Sequence, residues 1–124
     1  MKVKFYICKH CGNVVVKLVD SKVPVVCCGE PMHEMVAGET DGAMEKHVPV
    51  FKQEGNVLSV EVGSVLHPMT EEHAIKFIVA ETNKGVHVKY LEFTDEPKAQ
   101  FALLEGEEVL TVYEYCNLHG LWKA

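Results

Sequence analysis

Apolar and polar positions alternate with a period of two through much of the second half of the chain. Leu58, Val60 and Val62 are separated by Ser59 and Glu61, the pattern of a strand with one buried face. Asn83-Lys84-Gly85 divides an apolar stretch at 74–81 from another at 86–93, and Glu105-Gly106-Glu107 divides 99–104 from 108–115. Turn signals recurring every ~8–12 residues predict an antiparallel β-sandwich or barrel of about seven strands from Pro49 onward. No stretch carries a long helical period. Only residues 71–76 are expected to make a turn of helix.

The first 36 residues read differently. Their β-type runs are shorter: Lys4-Phe5-Tyr6-Ile7, then 14–19, then 23–26. Cys8, Cys11, Cys27 and Cys28 sit between and after these runs, with Gly12 and Gly29 behind the two pairs. The polar stretch Gly38-Glu39-Thr40-Asp41-Gly42 reads as a loop entering a second unit. Two domains are therefore expected, over residues 1–36 and 37–124.

With 124 residues, 48% hydrophobic and 24% charged, the chain is neither disordered nor fibrous. That length suits one domain, or one domain plus a metal-stapled module. No apolar run approaches the ~20 residues needed to span a bilayer. Residues 1–4 open no signal peptide, so a cytoplasmic protein is expected. Twelve lysines and no arginine stand against 18 acidic residues, for a net charge of −6. That balance argues against a broad nucleic-acid face. An odd number of cysteines, five, in a reducing compartment points to metal or redox chemistry rather than a disulfide framework.

The cysteine spacing is C-x2-C-x15-C-C. A C-x-x-C turn aims two thiolates at one point, and a second pair brought back by a hairpin completes a four-sulfur shell. The spacing leaves zinc and iron both open, with a purely structural staple or a vicinal Cys27–Cys28 disulfide as the blander readings. Adjacent ligands do not turn easily to one tetrahedral centre, so distortion is expected there. A second constellation is His47, His67, His73, Cys116 and His119. Cys116-Asn117-Leu118-His119 has chelate spacing, and Pro68 constrains His67 to extended backbone. Any one of these histidines alone is ordinarily a surface or core residue, and a lone cysteine a small buried hydrophobe. Grouped at loop and strand-end positions, they form a candidate mixed His/Cys metal site. His10, His33 and His87 are expected to be exposed and to stand apart.

These residues together resemble the desulfoferrodoxins, the two-iron form of superoxide reductase. Cys8-Lys9-His10-Cys11-Gly12 and Val26-Cys27-Cys28-Gly29 resemble the desulforedoxin module. Glu45-Lys46-His47-Val48-Pro49, His67-Pro68-Met69, His73 and Glu114-Tyr115-Cys116-Asn117-Leu118-His119-Gly120-Leu121-Trp122-Lys123 resemble the catalytic domain shared with neelaredoxin. The resemblance covers essentially the whole chain. It implies an all-β protein: a desulforedoxin-like metal-stapled module followed by a seven-stranded immunoglobulin-like β-sandwich.

It also implies two irons. One would be held by Cys8, Cys11, Cys27 and Cys28, for electron relay or structure. The other would be held by His47, His67, His73 and His119 in a plane, with Cys116 axial. The implied activity is one-electron reduction of superoxide to hydrogen peroxide with uptake of two protons and no release of dioxygen. At a net charge of −6 the whole chain repels an anion, so a local positive patch must steer it. Lys46, beside His47, is the expected steering residue. Glu45 is expected to take the sixth position of the oxidised iron. A homodimer, a rubredoxin-type electron donor and calcium at the dimer interface are further implied. Two other classes remain on the residues alone: a pure iron electron carrier, and a zinc-stapled interaction module.

Overall fold

The computed structural model describes residues 2–124, and Met1, part of the signal-peptide reading, lies outside them. Two compact units divide the chain, Met1–Val36 and Ala37–Ala124.

In the first unit β1 (Phe5–Ile7) lies between β2 (Val14–Val16) and β5 (His33–Met35), antiparallel to both. A two-residue ladder joins β3 (Val26–Cys27) to β4 (Glu30–Pro31). The extended run expected at 23–26 survives only at its end. Upstream, Asp20 Oδ1 accepts from the Lys22 N–H, and Lys17 Nζ donates to Asp20 and to the Val23 carbonyl. These local bonds hold a loop where a strand would otherwise extend. Leu18 and Val19 are 86% and 85% exposed, and the buried apolar residues described in this unit are Val3, Phe5 and Cys8. Such a set is too small a core to hold a fold by burial alone.

The second unit holds α1 (Met44–His47) and seven strands: β6 (Pro49–Glu54), β7 (Val57–Val62), β8 (Ile75–Thr82), β9 (Val86–Tyr90), β10 (Lys98–Ala102), β11 (Val109–Cys116) and β12 (Gly120–Lys123). They form two antiparallel sheets, ordered β10-β7-β6 and β12-β11-β8-β9. Leu58, Val60 and Val62 of β7 are essentially unexposed, as are Ile78 and Ala80 of β8 and Val112 of β11. These period-two faces meet in one core with Phe101, Leu103 and Cys116. The all-β, immunoglobulin-like sandwich expected from the sequence is the fold found. Among the described residues no helix is long and apolar enough to cross a membrane.

Two local expectations are corrected. No helical turn forms at 71–76. Thr70 and His73 exchange backbone hydrogen bonds across a tight loop (2.9 and 3.2 Å), and β8 begins at Ile75. Sheet pairing outweighs the weak helical pattern of Glu71 and Glu72. His87 is half-buried rather than exposed. β9 presents Val86 and Val88 to solvent (47% and 51% exposed) and turns His87 inward, where Nε2 meets Glu107 Oε2 at 2.8 Å.

Glu107 closes this end of the sandwich. Its carboxylate accepts from Thr82 Oγ1 (2.6 Å), from His87 and from the Leu104 N–H (2.9 Å). The Thr82 bond first, then His87 and the Leu104 N–H, hold its pKa down to about 2 from 4.5. A depressed carboxyl contributes stability that is present above its unfolded pKa and lost as pH falls through the folded one. Glu107→Gln is therefore expected to lower the melting temperature at neutral pH. It should also flatten the wild type's loss of stability between about pH 4.5 and 2. Parallel acid-limb melts of the two proteins check this, and superimposable limbs would remove Glu107 from that role.

Candidate metal centres

The first group is built by two turns. Gly12 N–H donates to the Cys8 carbonyl (2.8 Å) and Cys8 N–H to the Asn13 carbonyl (2.9 Å), which reverses the chain around the first pair. The β3–β4 hairpin returns the second pair. Cys28 has φ +53, a left-handed conformation. That backbone turn is how adjacent cysteines face one point, and it answers the geometric difficulty expected of a vicinal pair. All five cysteines of the chain are free thiols. The four sulfurs lie within 4.8 Å of one another, with Cys11 Sγ and Cys27 Sγ 3.6 Å apart. With metal–sulfur bonds of ~2.3 Å a tetrahedral edge is roughly 3.8 Å and a right-angle edge roughly 3.3 Å, so the observed edge is nearer tetrahedral. The Cys11 N–H above all holds the Cys8 thiol down to about 6, while the Cys11 and Cys8 sulfurs push Cys28 up to about 12.

The second group draws on four chain segments. α1 ends in His47, the single β7–β8 loop carries His67 near its start and His73 near its end, and β11 ends in Cys116, with His119 in the turn that follows. Close approach positions the first two. Gly63 lies so near α1 that a Cβ there would stand 2.7 Å from the Glu45 carbonyl. Val65 N–H and Ser64 Oγ both donate to that same carbonyl (2.9 and 3.3 Å). Asn117 ties the other two elements together: its Oδ1 accepts from the Ala74 N–H and its Nδ2 donates to the Glu72 carbonyl (3.0 and 2.8 Å). A register shift pairs Tyr115 with Phe77 but Cys116 with Ile75. The extra residue falls on β8, and along β11 the period of two leaves Val112, Glu114 and Cys116 unexposed on one face.

The four imidazoles form a closed ring. His47–His67, His67–His73, His73–His119 and His119–His47 centroids lie 4.7, 4.5, 5.0 and 4.7 Å apart, at interplanar angles of 73°, 83°, 73° and 82°. His47 Nδ1 donates to the Ala43 carbonyl (2.8 Å) and His67 Nδ1 to the Pro68 carbonyl (2.7 Å). Carbonyls only accept, so both protons are on Nδ1 and both Nε2 atoms carry lone pairs. Those two Nε2 atoms nevertheless face each other at 3.2 Å, and His119 Nδ1 lies 3.0 Å from His47 Nε2. Burial lowers the pKa of His47 and His73 and takes His67 down to about 4, so none of these three is an imidazolium at neutral pH. His73 Nε2 is buried without a hydrogen-bond partner.

Converging lone pairs of this kind call for a cation among them. With metal–nitrogen bonds of ~2.1 Å, a right-angle edge is roughly 3.0 Å and a tetrahedral edge roughly 3.4 Å. The His47–His119 edge of 3.0 Å matches a right angle, and the His47–His67 edge of 3.2 Å falls between the two. Cys116 Sγ joins it, 3.8 Å from His119 Nδ1, and the five donor atoms lie within 4.8 Å of one another. Burial raises the Cys116 thiol, while the backbone N–H groups of Leu118 and His119 oppose that rise.

Glu45 and Lys46 lie exposed on α1, outside the ring. Three further residues had no part assigned from sequence. Asn117 is the tie between loops. Trp122 stacks on His47 with centroids 5.2 Å apart. Glu114 is fully buried, its carboxyl oxygens have no partner, and desolvation pushes it up to about 9, so it is neutral at pH 7. No sequence spacing signals such contacts. Among the described residues these are the two groups able to hold a metal ion. Neither is the oxygen set that calcium takes, so the expectation of calcium finds no support.

Comparison with known proteins places these groups in a family context. The desulfoferrodoxin family model matches residues 39–124. The desulfoferrodoxin of Nitratidesulfovibrio vulgaris is 46% identical over 121 residues, covering 98% of this chain and 94% of that protein. A desulfoferrodoxin homolog of Archaeoglobus fulgidus is 44% identical over 119 residues, covering 96% and 94%. The crystal structure of the superoxide reductase from Treponema pallidum superposes with a TM-score of 0.85 at 35% identity, covering 100% of this chain and 99% of that one. With a matching family model and relatives of this identity over nearly its full length, the chain belongs to the desulfoferrodoxin family.

Proposed function

We propose that this chain is a superoxide reductase, converting superoxide to hydrogen peroxide without releasing dioxygen. The observation that carries the reading is the closed ring of four imidazoles with one thiol beside it. His47, His67, His73, His119 and Cys116 are assigned as the ligands of a catalytic iron. Cys8, Cys11, Cys27 and Cys28 are assigned to a second iron with a relay or structural role. The five-donor group would hold a ferrous ion, which would supply the one electron and be left ferric.

The chain's own residues do the rest. The Ala43 and Pro68 carbonyls hold the His47 and His67 tautomers, so that both lone pairs point inward before any metal arrives. The N–H groups of Leu118 and His119 stabilise negative charge on the Cys116 sulfur once its proton leaves. Lys46 lies close enough for its charge to act on both His47 and His73. It draws the substrate anion to a protein whose net charge is −6. Glu45, beside it on α1, would be the carboxylate available to the oxidised centre. The electron donor is a rubredoxin-type protein. A homodimer is supported by the β9 edge, where Val86, Val88 and Tyr90 stand exposed in one row.

Metal content of protein purified anaerobically, followed by pulse radiolysis, tests the reading. Two irons per chain and superoxide loss without dioxygen are expected. Zinc alone, or dioxygen evolved in step with superoxide loss, would refute it. Lys46→Ala is expected to slow the bimolecular reaction by a few-fold to about tenfold at low salt and to flatten its salt dependence. An unchanged low-salt rate constant would remove Lys46 from steering.

A further inference from the structure

The backbone carbonyl of His119 is held twice. Trp122 Nε1 donates to it at 2.9 Å, and the Thr40 hydroxyl donates to it from 79 residues upstream. Thr40 belongs to the loop that the sequence presents as an entry linker. That loop is docked instead: the Gly38 N–H donates to the Leu121 carbonyl at 2.8 Å. It also packs closely. A Cβ on Gly42 would stand 3.1 Å from both the His47 ring and the Trp122 ring, and a Cβ on Gly120 (φ +82) would stand 2.7 Å from Thr40 Oγ1. Larger side chains at these two positions would push the loop off the site.

Trp122 works in two directions. Its N–H fixes the His119 backbone, and its ring stacks on His47 at an interplanar angle of 26°. His119 and His47 come from different elements, yet their ring nitrogens approach to 3.0 Å. His119 reaches the ring through Nδ1, the nitrogen nearer its own backbone, so a shift of that backbone moves the donor atom almost directly. His47 and His67 have their own Nδ1–H bonds to backbone carbonyls to fix them, whereas the His119 Nδ1 is turned to the ring, toward His47 Nε2 and Cys116 Sγ. Its placement has to come from its backbone.

We infer that Thr40 and Trp122 are a pair of positioning residues that lock the His119 carbonyl, and with it the His47–His119 edge of the ring. The inference rests on the five-donor group holding a metal. The geometry also explains a polar loop residue and a buried indole N–H that would otherwise be unrelated. Loss of either donor loosens one edge of a set that needs right angles, and outer-shell partners of this kind are typically worth about 10–100-fold in metal affinity.

The test is Co(II) titration of the full-length apoprotein, followed by visible absorption. The four-cysteine group in the same molecule serves as internal reference. Thr40→Val and Trp122→Phe preserve shape while each removes one donor. Each is expected to weaken Co(II) binding at the five-donor site about tenfold and to alter its absorption, with the four-cysteine affinity unchanged. Thr40→Ser should restore wild-type behaviour. In the Thr40 variants, quenching of the single tryptophan gives a second readout of occupancy beside His47. Should Trp122→Phe fail to fold, the Thr40→Val and Thr40→Ser pair decides alone. Wild-type affinity and spectra in Thr40→Val would overturn the lock while leaving the metal site intact. A wild-type protein that binds Co(II) only at its four cysteines would overturn the site itself, and the lock with it.

Discussion

Cys116→Ser is expected to abolish superoxide reduction and to strip the visible absorption of the oxidised second centre, while the fold persists. Cys116 is fully buried on the inner face of β11, and serine fills nearly the same volume. The serine hydroxyl stays protonated at neutral pH, so the donor set changes from four neutral nitrogens and an anion to five neutral donors. Loss of a direct ligand should exceed the 10–100-fold typical of outer-shell partners, so a drop in metal affinity of at least about 100-fold is expected. Metal analysis and the ferric absorption spectrum check this. A serine variant with full iron content and an unchanged spectrum would show that the sulfur is not a ligand.

The second large effect concerns the first unit. Replacing Cys27 and Cys28 together with serine is expected to lower metal content by one ion per chain and to unfold residues 1–36. Its described buried apolar residues are only Val3, Phe5 and Cys8. Structural metal binding contributes on the order of 10–16 kcal/mol in small modules of this kind, more than such a core can replace. The five-donor group lies wholly within Ala37–Ala124, so its metal content and superoxide rate constant should survive. Amide exchange resolved along the chain, with pulse radiolysis, separates the outcomes. Lost superoxide reactivity in a variant whose second site remains filled would make the four-cysteine group part of the chemistry.

The strands of the second unit were legible because their burial follows a period of two; Leu58, Val60 and Val62 announce one face of β7 without any neighbour. The metal donors were legible for a different reason. C-x2-C and C-x2-H are local spacings, and turns bring such pairs together wherever they occur. The cyclic order of the four histidines was not legible, since three of them sit on irregular segments whose directions are set by Gly63, by Asn117 and by the bulge opposite Cys116. The four-residue helix α1 is too short to leave a periodic trace. Residues 71–76 misled because charge and propensity are weak signals beside a pair of backbone bonds between Thr70 and His73. His87 misled because alternation fixes which residues share a face, not which face meets the core. Thr40 reads from sequence only as one residue of a polar loop, since its partner lies 79 residues away.

The short His47–His119 edge bears on mismetallation. Inside a cell several divalent ions compete, and raw affinity for nitrogen and sulfur donors favours copper and zinc over ferrous iron. Zinc prefers a tetrahedron, and the 3.0 Å His47–His119 edge is shorter than the roughly 3.4 Å that a tetrahedron with ~2.1 Å bonds needs, so zinc would have to spread that pair. The four-cysteine knuckle imposes no such penalty, because its 3.6 Å edge suits zinc and iron alike. One polypeptide thus carries a discriminating site and a permissive one, and metal stress would fall first on the permissive one.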